Sequence, residues 1–589
     1  MRVASLPSLF ISATLAAADL SCKCLYGDAC WPSDSEWSEF AQTLTSPEAL
    51  IVGQRPPGAV CYKSDPSYNE EACAFLQARV DDPVYMSSLT NGAHYNNFNA
   101  IINSTTILNC PYKPASDDDV CYQGRVPPYV VNVTKVEEIQ SALAFAAKHN
   151  LRVTVKNTGH EEMGRAMGVG ALEIFMNNFQ NYTYFDGDFV PEGAPEGTEG
   201  EYAVTLGAGV NWSTAYKSTD DHNRSVVGGL SPMGTVGAAA GWPLGTGQSL
   251  LSPFYGLGVD NTLQFTVVLP DGTYLTANRF TTPDLFWAMR GGGGPSFGIV
   301  TSTTYRTHPN LPFTGAFFGA QASSTEAYID LLTVWMKHHN NVSESGWSGN
   351  WPFSSRSLYL TMASLGAPNS QAANDSMNNF FDEAATVPGV NITVRGTREY
   401  RSWYVFVHEN LVDSSNVIGF NFTAVIPGNS QSTTAGWLMP ANVTSPEFAP
   451  EMAKVMANTT VLAIPFMVGG GYVLTVDPSS SAACPAWRHT ITDMVLMGGA
   501  NDTADIRPHY EEMHENILKY RNLAPPPYGG SYLNEADTLE ENFSFTYWGE
   551  QYPRLLAIKK EIDPNDLLIV RKGVNSEAWD DEITCKSCL

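Results

Sequence analysis

The stretch Val153-Thr154-Val155-Lys156-Asn157-Thr158-Gly159-His160-Glu161-Glu162-Met163-Gly164-Arg165-Ala166-Met167-Gly168-Val169-Gly170 decides the fold. Its apolar, β-branched opening reads as a strand running into Lys156, with a turn at Asn157-Thr158-Gly159. His160 lies in the middle of that turn, and Gly164, Gly168 and Gly170 punctuate the chain beyond it. Glycines at this spacing permit positive φ and let the backbone come close to a ligand. Successive N–H groups in such a turn cradle a phosphate. Taken alone, the stretch fits a ligand-gripping turn and a plain β-turn with a surface histidine equally well. A second glycine-rich region favours the first.

Upstream, Tyr129-Val130-Val131 reads as a short strand. Thr134 to His149 has apolar residues at Ile139, Leu143, Phe145 and Ala146, a helical period with Thr134 as N-cap and Glu137 three residues on. Leu151 to Val155 and Ala171 to Met176 are the next strands. The result is a β-α-β unit with a glycine turn after its second strand, which suits a nucleotide cofactor. No G-x-G-x-x-G opens a helix, so an ordinary dinucleotide fingerprint is not indicated.

Downstream, Gly228 to Gly247 has few large side chains and offers backbone to a flat or polyphosphate ligand. A strand from Leu263 to Leu269 and the turn Pro270-Asp271-Gly272 signal a hairpin. Asp284-Leu285-Phe286-Trp287-Ala288-Met289-Arg290 then leads into Gly291 to Gly294 and Phe297-Gly298-Ile299-Val300-Thr301.

The termini carry different information. Arg2, an apolar Leu6 to Leu15 and Ala16-Ala17-Ala18 read as a secretory signal over residues 1–18. Thirteen N-x-S/T sequons fit a glycoprotein with N-linked glycans: Asn103, Asn132, Asn181, Asn211, Asn223, Asn341, Asn374, Asn391, Asn421, Asn442, Asn458, Asn501 and Asn542. Seven of the ten cysteines lie in the first 121 residues, Cys585 and Cys588 close the chain, and Cys484 stands alone. In an oxidising compartment most are disulfide staples, Cys585 and Cys588 included, and Cys484 reads as an unpaired buried thiol. The formal charge of −27 argues against nucleic acid and anionic membrane surfaces as partners. No segment has the roughly 18 uninterrupted apolar residues of a membrane span. With 589 residues the chain is too long for one core. No metal site is indicated: His338 and His339 are adjacent on a helix and point apart.

Four motifs in order carry a resemblance. They are K-N-T-G-H with the subsequent G-R at Gly164-Arg165, Tyr255-Gly256-Leu257-Gly258-Val259-Asp260-Asn261, Asp284 to Thr301, and a tail of Tyr532-Leu533-Asn534-Glu535-Ala536-Asp537 with Tyr547-Trp548-Gly549 beyond it. Together with Cys24 to Ser33 in the leader they resemble the vanillyl-alcohol oxidase superfamily, in its branch of berberine bridge enzyme-like FAD-linked oxidases, specifically the secreted fungal members. The resemblance implies an α+β protein: a two-lobed FAD-binding domain with an antiparallel-sheet substrate domain roofing the flavin. The expected divisions are a signal at 1–18, a cysteine-rich extension at 19–120, the FAD-binding domain at 121–308, the substrate domain at 309–524 and a segment at 525–589 that returns to the FAD domain. Within the substrate domain, helices are expected at Thr325 to His338 and Asn369 to Ala385, and strands at Ser357 to Ser364, Val417 to Ile426, Val461 to Val468 and Gly471 to Val476.

The same resemblance implies roles. His160 aligns with the histidine that bonds covalently to the flavin 8α carbon. Asn157, Thr158, Gly159, Gly164 and Arg165 would hold the pyrophosphate. Met233 to Ala240 (Gly234, Thr235, Gly237 and Ala238 among them), Asp260-Asn261 and Gly298 to Val300 would supply further flavin contacts, and Asn534 would position flavin or substrate. Many relatives carry a second tether, a cysteine in the loop matching Gly241 to Ser249; this loop has none, so FAD is expected to be held through His160 only. Glu535, where a tyrosine is frequent, is either the catalytic base or a buried carboxylate that fixes its loop, and Tyr532 is the other base candidate. The implied activity is oxidation of a small-molecule alcohol or secondary metabolite with dioxygen as acceptor, in a secreted protein or a secretory-pathway lumen. A dehydrogenase using another acceptor, or a flavin-binding glycoprotein without turnover, are the alternatives.

Overall fold

The computed structural model describes residues 22–95, 99–103, 105–231, 234–365, 370–412, 430–501 and 504–587. The expected signal at 1–18 lies outside them, as do Met233, the strand expected at Val417 to Ile426, and Cys588.

The β-α-β unit forms as the apolar spacing requires. Tyr129–Asn132, Leu172–Phe175 and Val153–Lys156 are parallel neighbours in that order, and Leu50–Val52 adds an antiparallel edge. The crossover helix spans Val136–Lys148 and buries Ile139, Ala142, Leu143 and Ala146. Its cap differs from expectation by one residue. Glu138, not Glu137, accepts from the Thr134 N–H at 2.7 Å and the Lys135 N–H at 3.2 Å, because the same carboxylate also takes the Thr45 N–H at 3.0 Å. Trp37 and Phe40 of the leader helix Asp34–Ala41 pack into this core, and so do Leu567 and Leu568 of the tail.

A second sheet, all antiparallel, runs Tyr274–Asn278, Thr262–Val268, Ile299–Pro309, Glu201–Gly207, Tyr182–Phe189, with Arg224–Val226 paired to the end of Ile299–Pro309. The third sheet has nine antiparallel strands, among them Phe313–Ala322, Trp347–Asn350, Ser357–Leu365 and Thr490–Asn501. Helices Thr325–Glu344, Ala449–Ala457 and Arg507–Leu523 cover one face, where Trp335, Met452, Met494, Leu496 and Ile517 share a core. The alternate residues of the same strands face the other way: Phe466 and Val468 pack with Leu250, Leu257 and Tyr532 of the flavin-side core. The sheet is thus a roof, with period-2 alternation deciding which residues look down.

Two expected strands are corrected. Val461 to Val468 is broken into Leu462–Ala463 and Phe466–Met467, since Pro465 between them has no N–H to pair. Gly471 to Val476 is instead a 3-10 turn over Gly471–Thr475. Gly470 and Gly471 sit at φ of 80° and 47°, and a Cβ at Gly471 would lie 2.2 Å from the Pro253 carbonyl oxygen, so the chain turns there against Ser252–Tyr255.

Among the described residues, four disulfides join Cys22–Cys585, Cys24–Cys30, Cys61–Cys73 and Cys110–Cys121. Cys585 therefore ties the tail to the leader rather than closing a loop with its near neighbour. The Arg125–Glu582 pair at 2.5 Å reinforces the same junction. Cys484 is unpaired and buried. No helix among the described residues is long and apolar enough to cross a membrane.

Candidate active site

The turn after Val153–Lys156, the glycine-rich loop and the underside of the roof enclose one large cavity. Asn157, Thr158, Gly159, His160 and Arg165 line it from the turn, Gly237 and Val300 from the second lobe, and Tyr532, Asn534 and Glu535 from the tail. Several expected contacts lie off its wall. Gly164, at φ 74°, backs onto Arg125, and Gly234, at φ 68°, onto Ser213. Thr235 stands behind His160, its Oγ1 at 3.4 Å from Nδ1. The Ala238 carbonyl accepts from the Tyr305 hydroxyl at 2.6 Å, and Gly298 lets its strand pass close over Val267. Asp260 and Asn261 are occupied structurally: Asp260 pairs with Arg488 and Asn261 donates to backbone carbonyls.

The turn presents an unusual donor set. Both amide atoms of Asn157 are buried without a hydrogen-bond partner. Gly237 faces that amide so closely that a Cβ would sit 2.6 Å from Asn157 Nδ2. Arg165 bridges the turn to the tail, paired with Glu161 at 2.6 Å and donating to the Leu533 carbonyl at 3.1 Å. His160 is half-buried, and desolvation pushes its pKa down to about 4, so its imidazole is neutral and keeps a nitrogen lone pair at neutral pH. His94, edge-on, and Tyr95, tilted, both from the cysteine-rich leader, lie near it at ring-centroid distances of 5.2 and 5.8 Å.

Glu535 occupies the tail side. Burial first, and then the charge of Asp493, push its carboxyl up to about 8. Gln248 Nε2 donates to both its oxygens at 2.8 Å. Asp493, on the roof strand Thr490–Asn501, is itself buried with neither oxygen partnered, and burial pushes it up to about 7. Tyr532 is driven far upward by burial, and its hydroxyl accepts from Asn534 Nδ2 at 2.9 Å. A neutral phenol in this position is a poor base, which leaves the carboxyl as the better proton acceptor.

Sequence reasoning missed Tyr95, Glu162, Gln248, Asn350 and Asp493. Glu162 lies two residues past His160 and lines the cavity, and burial pushes it up to about 8. Its signal lay in the opening motif itself. Asp493 was visible as an acid in phase with the roof-facing Val495 and Met497.

An unpaired buried amide, a neutral histidine and several glycines on the wall (Gly159, Gly229, Gly237, Gly241 and Gly294) fit a flavin nucleotide. Asn157 and the turn backbone would hold its phosphates, and His160 lies within the cavity that would receive its ring. No cysteine lines the cavity among the described residues; the buried Cys484 thiol instead contacts the Thr546 carbonyl at 3.5 Å.

Comparison with known proteins points to the same class of cofactor. The family model for an FAD binding domain matches residues 127–278, and the model for berberine and berberine-like proteins matches residues 531–575. The chain is 31% identical over 586 residues to a VAO-type flavoprotein oxidase, VAO615, of Thermothelomyces thermophilus, covering 96% of this chain and 95% of that one. It is 30% identical over 606 residues to an FAD-linked oxidoreductase of Arthroderma benhamiae, covering 98% of each. Among solved structures, the VAO-type flavoprotein MtVAO615 from Myceliophthora thermophila C1 superposes with a TM-score of 0.78 at 28% identity, over 96% of this chain and 100% of that one.

Proposed function

The chain belongs to the VAO-type, berberine bridge-like FAD-linked oxidoreductases, and from that membership we propose that it is a secreted oxidase of small alcohols or secondary metabolites whose FAD is tethered through His160 alone. Bound FAD supplies hydride acceptance from a substrate carbon and delivery of both electrons to dioxygen, with hydrogen peroxide as product. The observation that carries the reading is that neutral, half-buried His160 and the raised carboxyl of Glu535 line the same cavity.

His160 is the nucleophile for attachment, since burial keeps its nitrogen unprotonated. Thr235 Oγ1 sits at Nδ1 and fixes the ring orientation. Glu535 takes the proton from the substrate heteroatom. Gln248 holds that carboxylate in place, and Asp493, close behind, keeps its proton affinity high enough for the task. Arg165 and Asn534 tie the turn and the loop at Gly241 to the tail, so the base is held against the flavin-binding floor. The roof covers the cavity with the apolar side chains of Phe466, Val468, Val495 and Met497, which disfavour water there. Four disulfides and the thirteen sequons support passage through an oxidising compartment.

Oxygen reactivity tests the oxidase assignment without a known substrate. The purified yellow protein is reduced anaerobically with dithionite and mixed with aerated buffer. Reoxidation far faster than that of free reduced FAD, with one peroxide per flavin, is expected. Reoxidation no faster than free FAD contradicts it and favours a dehydrogenase with another acceptor.

A further inference from the structure

Among the described residues, the roof presents to the cavity one polar side chain with nothing to bind. Asn350 ends the strand Trp347–Asn350, is fully buried, and has neither amide atom in a hydrogen bond. It lines the cavity. Its register partner on the neighbouring strand is Phe466, which also lines the cavity. Phe466 in turn pairs with Asp493, so the three form a row across the sheet. The remaining roof residues on the wall are Leu411, Thr434, Val468, Val495 and Met497.

A buried amide left unsatisfied costs about 1–3 kcal/mol, so this one marks a place where a ligand group belongs. An Asn amide offers one donor edge beside one acceptor edge, which matches the adjacent N–H and C=O of a cis amide. Apart from Asn350 and Thr434 the roof side of the wall is apolar; the charged residues that line the cavity, Glu161, Glu162, Arg165 and Glu535, come from the turn and the tail.

We propose that Asn350 sets substrate specificity by reading the paired donor and acceptor of a lactam or secondary-amide edge on an otherwise apolar ring system that packs against Phe466 and the aliphatic roof. This rests on the oxidase reading of the same cavity and names its substrate class.

Calorimetric titration of the flavin-loaded protein tests it with four probes: 2-oxindole, which has the lactam edge; N-methyl-2-oxindole, which lacks the donor; 2-indanone, which replaces N–H by CH₂; and cellobiose. 2-Oxindole is expected to bind at least about tenfold more tightly than the other two bicyclic probes, the size of one net hydrogen bond. Asn350→Leu, of similar volume, should bring the three to similar affinities by weakening 2-oxindole alone. Asn350→Ala, which removes both the donor and the acceptor without adding bulk, should also weaken 2-oxindole, and it carries the comparison if the leucine variant fails to fold. Equal binding of the three bicyclic probes to wild type, a lactam preference that survives both variants, no binding of any bicyclic probe, or binding of cellobiose overturns the proposal. Failure of the oxidase reading is seen separately, as a colourless protein or slow reoxidation, and neither is a titration result.

Discussion

Gln248 Nε2 donates to both oxygens of Glu535 at 2.8 Å, although the two residues are 287 apart in sequence. The contact joins the loop after the glycine-rich stretch to the tail segment, and it is made to a carboxyl that burial and Asp493 hold near pKa 8. The hydrogen bonds favour the ionised form and the surroundings oppose it, so the group is poised to change charge close to neutral pH.

Replacing Glu535 by Gln keeps the size and removes the base. With any alcohol or amine that bleaches the wild-type flavin anaerobically, the reduction rate should fall about 10²–10⁴-fold. Only the ionised carboxyl accepts a proton, so the wild-type rate should climb as pH rises through about 8, while that of the variant stays flat. Stopped-flow bleaching between pH 6 and pH 9 measures both. An unchanged rate in Glu535→Gln would return Glu535 to the role of a loop-fixing carboxylate.

Arg488 and Asp260 form a bidentate pair at 2.8 Å with side chains only 3% and 6% exposed. It links the segment beneath the roof to the loop at Gly258–Asn261. Arg488→Met leaves a buried carboxylate without its partner and should destabilise by about 3–5 kcal/mol. The double variant with Asp260→Leu should recover only part of that loss, since the Asp260 carboxylate is no longer stranded but Arg290, buried beside it, loses its counter-charge. Denaturant midpoints of the three proteins decide; equal midpoints for the single and double variants would show that the charge is not the cause.

Stability should fall between pH 6.5 and pH 8. Burial raises Glu162, Glu173 and Glu535 to about 8 and Asp493 to about 7. In this window these acids hold protons in the folded chain that the unfolded chain has lost, so rising pH favours unfolding; Lys23 and Lys156, which burial lowers to about 8, offset part of this as pH approaches 8. Below 6.5 the effect is opposed by His94, His308 and His339, which burial lowers to about 3, 3 and 4, so that there the unfolded chain binds the extra protons. Thermal scans should show a Tm that declines from pH 6.5 to 8, with a shallower decline in Glu173→Gln. A Tm that is flat or rising across the window contradicts the assignment of these groups as buried and protonated.

The flavin-side architecture was legible because its signals are local. The strand into Lys156, the turn at Asn157 to Gly159 and the period of Ile139, Leu143 and Ala146 are each set by neighbours within one or two turns of chain, and the structure forms them as read. The roof was less so. Val461 to Val468 has the composition of one strand, but Pro465 breaks its pairing, and Gly471 to Val476 turns because Pro253 leaves no room for a straight path. Of the site, His160, Tyr532, Asn534 and Glu535 were found through their motifs and do meet in one cavity. Asn350 and Asp493 were not, because what distinguishes them is an empty hydrogen-bonding shell after burial, a property of residues distant in sequence. Gly164, Gly234 and Gly298 were grouped with the cofactor contacts, whereas each allows a close approach between protein segments behind the wall.

The central claim is that FAD is held by a covalent bond to His160, and acid denaturation tests it most directly. The purified protein is precipitated in acid, washed and redissolved, and its visible absorbance is compared with that of His160→Ala treated in the same way. The account predicts that yellow colour stays with the wild-type chain and is absent from the variant. Colour that leaves the wild type, or that stays with His160→Ala, contradicts it.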